Sequence, residues 1–104
     1  MAYANWRSMD AAAALRGVRQ DMSRRELLEI AYNARVGAAR RVALVYLNDP
    51  ELLRSFALED PDPMVRRGLA RRLTDADALR RLMDDEDETV RAAAATTLAM
   101  LRTV

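Results

Sequence analysis

Apolar residues recur along this chain at helical spacing and in three echoing blocks. Leu27, Ile30 and Ala31 follow Ser23; Leu53, Phe56 and Ala57 follow Asp49; Leu79, Leu82 and Met83 follow Asp75, each block 26 positions after the one before. Ser, Asp and Asn are the residue types that open helices, because a short side-chain oxygen accepts from the free N–H groups of the first turn. A second set of positions echoes in the same way. Arg40 to Leu47, Arg66 to Leu73 and Arg91 to Leu98 repeat at spacings of 26 and then 25. The pattern predicts three pairs of short helices, over 23–48, 49–74 and 75–101. Ser23 with Glu26 has the spacing of a capping box, Met22 with Leu27 that of a hydrophobic staple, and Pro50 sits at a first helical position. Val65, Gly68, Leu69 and Leu73 are expected to face inward in the middle unit, as are Val90, Ala93, Ala94, Thr97, Leu98 and Leu101 in the last.

One helix pair cannot hide its apolar face alone, whereas three stacked pairs share a continuous core. The expected fold is therefore an all-α solenoid, a single domain over 1–104. Residues 1–22 depart from the repeat. A lead-in with Tyr3 and Trp6 precedes a helix from Met9 to about Arg19, to which the role of an N-terminal cap on the open end of the core is assigned.

Composition narrows the chemistry more than the fold. The 104 residues include one Phe and one Trp, so the core is expected to be built of Leu, Val, Ala and Met. All 17 basic residues are Arg, which together with the abundant Ala reads first as a high-GC coding bias. There is no Cys and no His, which excludes disulfides, thiolate metal sites and imidazole catalysis. No apolar run approaches the roughly 20 residues that span a bilayer, and the first residues lack the charged start and hydrophobic core of a signal peptide. A cytoplasmic protein with no membrane association, no cofactor and no small-molecule substrate is expected. Charge is uneven: residues 1–47 hold eight Arg against four acids, and residues 48–104 nine against twelve. The acids gather in the predicted turns, 59–62 and 84–88, where helix N-termini favour negative charge. The run Asp84 to Glu88 lacks the Gly and the terminal Glu spacing of an EF-hand loop, so no metal is assigned to it.

The segment Leu53-x-x-Phe56-Ala57-x-x-Asp60-x-Asp62-x-x-Val65-Arg66, and its echo from Leu79 to Val90-Arg91, resemble HEAT-like and leucine-rich repeat variant units. The likeness covers about 23–101. The first copy departs from it, with Ala39-Arg40 in place of Val-Arg and no acidic turn. The period of 25–26 leaves room for two α-helices, nearer to HEAT. The resemblance implies a short right-handed α-solenoid used for macromolecular recognition, and no reaction.

In HEAT-like repeats, an Arg at the position of Arg40, Arg66 and Arg91 bonds to turn acids, here Asp60, Asp62, Asp85 or Asp87, and the resemblance assigns these residues a structural ladder. The exposed side of the second helices is the expected docking face for a protein partner. Its rows are Arg41, Arg67 and Ala92; Leu44, Ala70 and Ala95; and Val45, Arg71 and Thr96. Partner contact is assigned to Arg41, Leu44, Val45, Arg67, Arg71 and Thr96. Leu44 and Val45 either lie under the N-terminal helix or form an apolar patch rimmed by Arg. The cluster Arg71, Arg72, Arg80 and Arg81 is the densest positive charge and a candidate contact for phosphate or an acidic partner. A net charge of +1 and the adjacent acids count against a polyanion. No residue is assigned a catalytic role. The leading expectation is a non-catalytic protein-binding adaptor. The alternatives are an assembly subunit of a bacterial or phage complex, packing against copies of itself, and a nucleic-acid-backbone binder.

Overall fold

Five of the six described helices begin where a side chain or a proline resolves the problem of unpaired first-turn N–H groups; the helix from Gly37 begins without one. Ser23 accepts from the N–H of Glu26 at 3.1 Å while Glu26 accepts from that of Ser23 at 2.9 Å, closing the capping box. Asp75 accepts from the N–H groups of Asp77 and Ala78 at 3.0 and 3.2 Å. In a computed structural model that describes residues 17–102, these signals delimit six α-helices, and no strand occurs among the described residues. The helices are α1 (Arg24–Asn33), α2 (Gly37–Leu47), α3 (Pro50–Glu59), α4 (Pro63–Ala70), α5 (Ala76–Leu82) and α6 (Glu88–Arg102). The lead-in with Tyr3 and Trp6 and most of the capping helix expected from Met9 lie outside the described residues.

The chain divides into two contact units, Met1–Asp49 and Pro50–Val104. In the first, α1 packs on α2 and buries Leu27, Ile30 and Ala31 against Ala39, Ala43 and Leu44. Asn48 closes α2 in the left-handed region, φ 49 and ψ 42, and donates its N–H to Leu44 at 3.0 Å. Asn tolerates that conformation better than most residues, because its short amide bonds locally.

In the second unit α3 packs on α4 and α5 on α6, while α4 also lies against α6 and, more lightly, α3 against α5. Second helix thus meets second helix. The buried side chains are Leu53 and Ala57 of α3, Val65 and Leu69 of α4, Leu79 and Leu82 of α5, and Val90, Ala94 and Leu98 of α6, with Leu73 between pairs.

Three expectations about facing need correction. Leu44 and Ala70, placed on the exposed side of the second helices, are fully buried, while their echo Ala95 is exposed. The inward face of α2 and α4 takes positions i, i+4 and i+5 (Ala39, Ala43, Leu44; Val65, Leu69, Ala70), a wider arc than a narrow stripe. Met83 echoes the buried Ala31 and Ala57 but is 40% exposed. It follows the last residue of the seven-residue α5 as its C-cap, where the backbone has already begun to turn. Gly68 and Leu101, expected to face in, are half-buried.

Candidate functional site

The turns before α4 and α6 share the pattern Asp-x-Asp-x-x-Val-Arg, and the structure gives each member of it a physical task. Asp60 accepts from the N–H of Asp62 at 2.9 Å, and Asp62 in turn accepts from that of Met64 at 2.9 Å as the cap of α4. Asp85 accepts from the N–H of Asp87 at 2.9 Å, and Asp87 accepts from those of Thr89 and Val90 and from the Thr89 hydroxyl. The Thr89 hydroxyl is the main reason why the Asp87 carboxyl titrates below its usual range, with the two N–H groups adding to it. No group of three or more acidic side chains could hold a metal ion among the described residues.

The three equivalent arginines make the same bond. Each reaches back six residues to a main-chain carbonyl: Arg40 to Ala34 at 2.8 Å, Arg66 to Asp60 at 2.7 Å and Arg91 to Asp85 at 2.7 Å. The ladder assigned from the sequence named only turn carboxylates, and this carbonyl contact has no sequence signal apart from the recurrence of the Arg itself. Arg66 adds a carboxylate. Its Nε and Nη2 meet the two oxygens of Asp85 at 2.9 and 3.1 Å, with side chains 8% and 9% exposed. Burial alone would push the Asp85 carboxyl up. The hydrogen bond from Arg66, the N–H of Asp87 and the guanidinium charge outweigh it and hold the carboxyl down. The hydrogen bond to Asp85 raises the Arg66 guanidinium further. This pair ties the start of α4 to the turn before α6.

On the other side of those two helices lies a groove lined by Arg67, Arg71, Thr89, Ala92, Ala93, Thr96, Thr97 and Met100. Three residues assigned to partner contact, Arg67, Arg71 and Thr96, meet here. Arg67, on α4, is half-buried and Arg71, its C-cap one turn later on the same side, is exposed. Neither has an ion pair among the described residues. From α6, Ala92, Thr96 and Met100 follow one another at four-residue spacing as a strip of small side chains ending in a methionine that is 64% exposed. Thr97, buried, donates its hydroxyl to the carbonyl of Ala93 at 2.8 Å. Among the described residues no carboxylate lines the groove. Sequence reasoning missed Thr89, Ala93, Thr97 and Met100 as lining residues: Ala93 and Thr97 were expected to face the core, and Thr89 and Met100 carried no assignment.

The remaining candidates lie elsewhere. Arg41 and Val45 are half-buried on α2, and the full burial of Leu44 removes it from any docking face. Arg72, Arg80 and Arg81 are exposed, and Arg80 is paired with Asp77 at 2.8 Å, which lowers the free charge of that cluster. A second cleft, on α1, is lined by Arg24, Arg25, Leu28, Glu29, Tyr32 and Asn33. Arg24 there is paired with Asp49 at 3.0 Å.

No helix among the described residues is long and apolar enough to cross a membrane. Comparison of the chain with protein-family models, curated proteins and solved structures finds no match.

Proposed function

We propose that the chain is a non-catalytic protein-binding module, a short right-handed α-solenoid of HEAT-like helix pairs acting in the cytoplasm as an adaptor. The observation that carries this reading is the groove between α4 and α6, an apolar strip rimmed by two guanidiniums that have no acidic partner among the described residues. Buried apolar contact surrounded by polar groups that fix orientation is the common design of protein interfaces, and Arg and Met are favoured there. The stacking of second helix on second helix supports it, because it forms a continuous face from residues of two successive pairs. The acidic turns do not compete for this role, since Asp60, Asp62, Asp85 and Asp87 are engaged in caps, turns and the Arg66 pair.

The test is site-specific photo-cross-linking in the native host. A photoreactive residue at position 96 is expected to trap one discrete protein, while the same residue at the exposed position 77, on α5, traps none. Equal capture from both positions, or none from position 96 in a variant that keeps its helical circular dichroism, would sink the reading.

A further inference from the structure

From the charges and spacing in this groove, we infer that its occupant is an extended acidic segment of another protein, carrying two carboxylates two residues apart. This inference rests on the protein-binding reading and names the chemistry of the partner. Three arginines of the same unit already have an acid. Arg54 is paired with Asp75, Arg66 with Asp85 and Arg80 with Asp77. Among the described residues, Arg67 and Arg71 are not paired and no carboxylate lines the groove they border. Two like charges at i and i+4 on a helix disfavour the folded chain slightly, and a bound anion removes that repulsion. Arg71 lies just past the end of α4, where the helix dipole tolerates a cation; Arg67, a turn earlier, gains less from it.

Geometry selects the form of the anion. Four helical residues rise about 6 Å, so the two guanidiniums start about that far apart. In an extended peptide, side chains at i and i+2 share one side and stand about 6.6 Å apart. An acid-x-acid segment therefore meets Arg67 and Arg71 together. The strip of Ala92, Thr96 and Met100 runs for about 12 Å along α6, enough for about four extended residues. Its small side chains let a backbone approach, and they receive aliphatic rather than aromatic neighbours.

The experiment is a titration of the ¹⁵N-labelled full chain with peptides of about eight residues, long enough to exceed the strip. One peptide carries Glu-x-Glu, a second Gln-x-Gln and a third Lys-x-Lys, all with the same aliphatic flanks; a single-stranded oligonucleotide is a fourth ligand. The Glu peptide is expected to shift the amides of Thr89, Ala92, Thr96 and Met100. Its affinity is expected to fall on the order of tenfold with the Gln peptide or at about 0.5 M NaCl. Arg67→Glu/Arg71→Glu, which keeps the dispersion of the native spectrum, is expected to lose the Glu peptide and gain the Lys peptide. Equal binding of the Glu and Gln peptides at these amides would overturn the acidic-segment inference and leave the protein-binding reading standing. Tighter binding of the oligonucleotide at the groove would overturn both. Self-association of the protein alone, abolished by the double charge reversal, would replace the foreign segment with a second copy, whose Asp84, Glu86 and Glu88 are exposed at the same two-residue spacing. Absence of any shift in the groove would overturn the inference outright.

Discussion

Arg66 combines two kinds of contact. Like Arg40 and Arg91 it holds a carbonyl six residues back, and from a buried position it also grips the carboxylate of Asp85 in the next repeat with two parallel bonds. Removing one member of a buried pair leaves the other charged and unpaired in a poor solvent. Arg66→Met and Asp85→Asn are therefore each expected to lower unfolding stability by about 3 kcal/mol, the low end for a buried pair because Asp85 sits in a turn at the edge of the core. Arg91 is exposed and has one carbonyl contact, so Arg91→Ala is expected to cost about 1 kcal/mol. Urea unfolding monitored by circular dichroism compares them; equal losses at Arg66 and Arg91 would contradict the role of the pair. The same carboxylates set the acid limit of the fold. Asp75, Asp85 and Asp87 all titrate lower in the folded chain than their ordinary value, so the unfolded chain binds protons first as pH falls. Their contribution is complete above the unfolded value of about 4 and disappears as pH drops through the folded values beneath it. The urea midpoint is expected to stay level from about pH 7 to 5 and to fall below about pH 4. It should fall less steeply in Asp85→Asn, and a midpoint that falls between pH 7 and 5 would refute this assignment.

Each of the three second helices needs a start signal, and α2 has the poorest. Asp62 and Asp87 cap α4 and α6 with side-chain oxygens, whereas Val36 at the same place has the right backbone, φ −87 and ψ 123, and no oxygen to offer. Val36→Thr keeps the branched shape of this half-buried side chain and adds a hydroxyl. It is expected to stabilise the protein by about 0.5–1 kcal/mol, seen as a rise of a few degrees in Tm; no rise would mean that the first turn of α2 is already satisfied by other means. Capping was the most legible layer of the sequence, because it depends on residues next to each other in the chain. Ser23 with Glu26, Pro50, Asp75 and the positions of all six helices could be read from local chemistry. The width of the buried faces could not. Whether Leu44 and Ala70 face in or out depends on which neighbours a helix meets, and Met83 turned outward because α5 ends three residues earlier than its echoes α1 and α3 suggest. Arg67, Arg71 and Thr96 were legible as one face from the repeat register, while Thr89 and Met100 joined them only through the packing of α4 on α6.

At the scale of the molecule, the interactions described here fall within two contact units of unequal make-up. Residues 17–49 hold one helix pair, while residues 50–102 hold two pairs joined by the α4–α6 contact and the Arg66–Asp85 bonds. In a repeat chain, stability is close to a sum of unit terms and nearest-neighbour terms, so damage to one link need not spread evenly. Native-state hydrogen exchange reads this directly. The slowest amides are expected in α4 and α6, at Leu69, Ala94 and Leu98, whose side chains are buried on helices that each meet two others. Arg66→Met is expected to cut protection of these amides on the order of a hundredfold, since about 3 kcal/mol is roughly two decades in an opening constant. Amides of Ile30, Ala31 and Ala43, in the first unit, are expected to lose clearly less. An equal loss throughout would show that the chain opens as one cooperative body, and the link between α4 and the turn before α6 would then be a determinant of global stability rather than of the second unit alone.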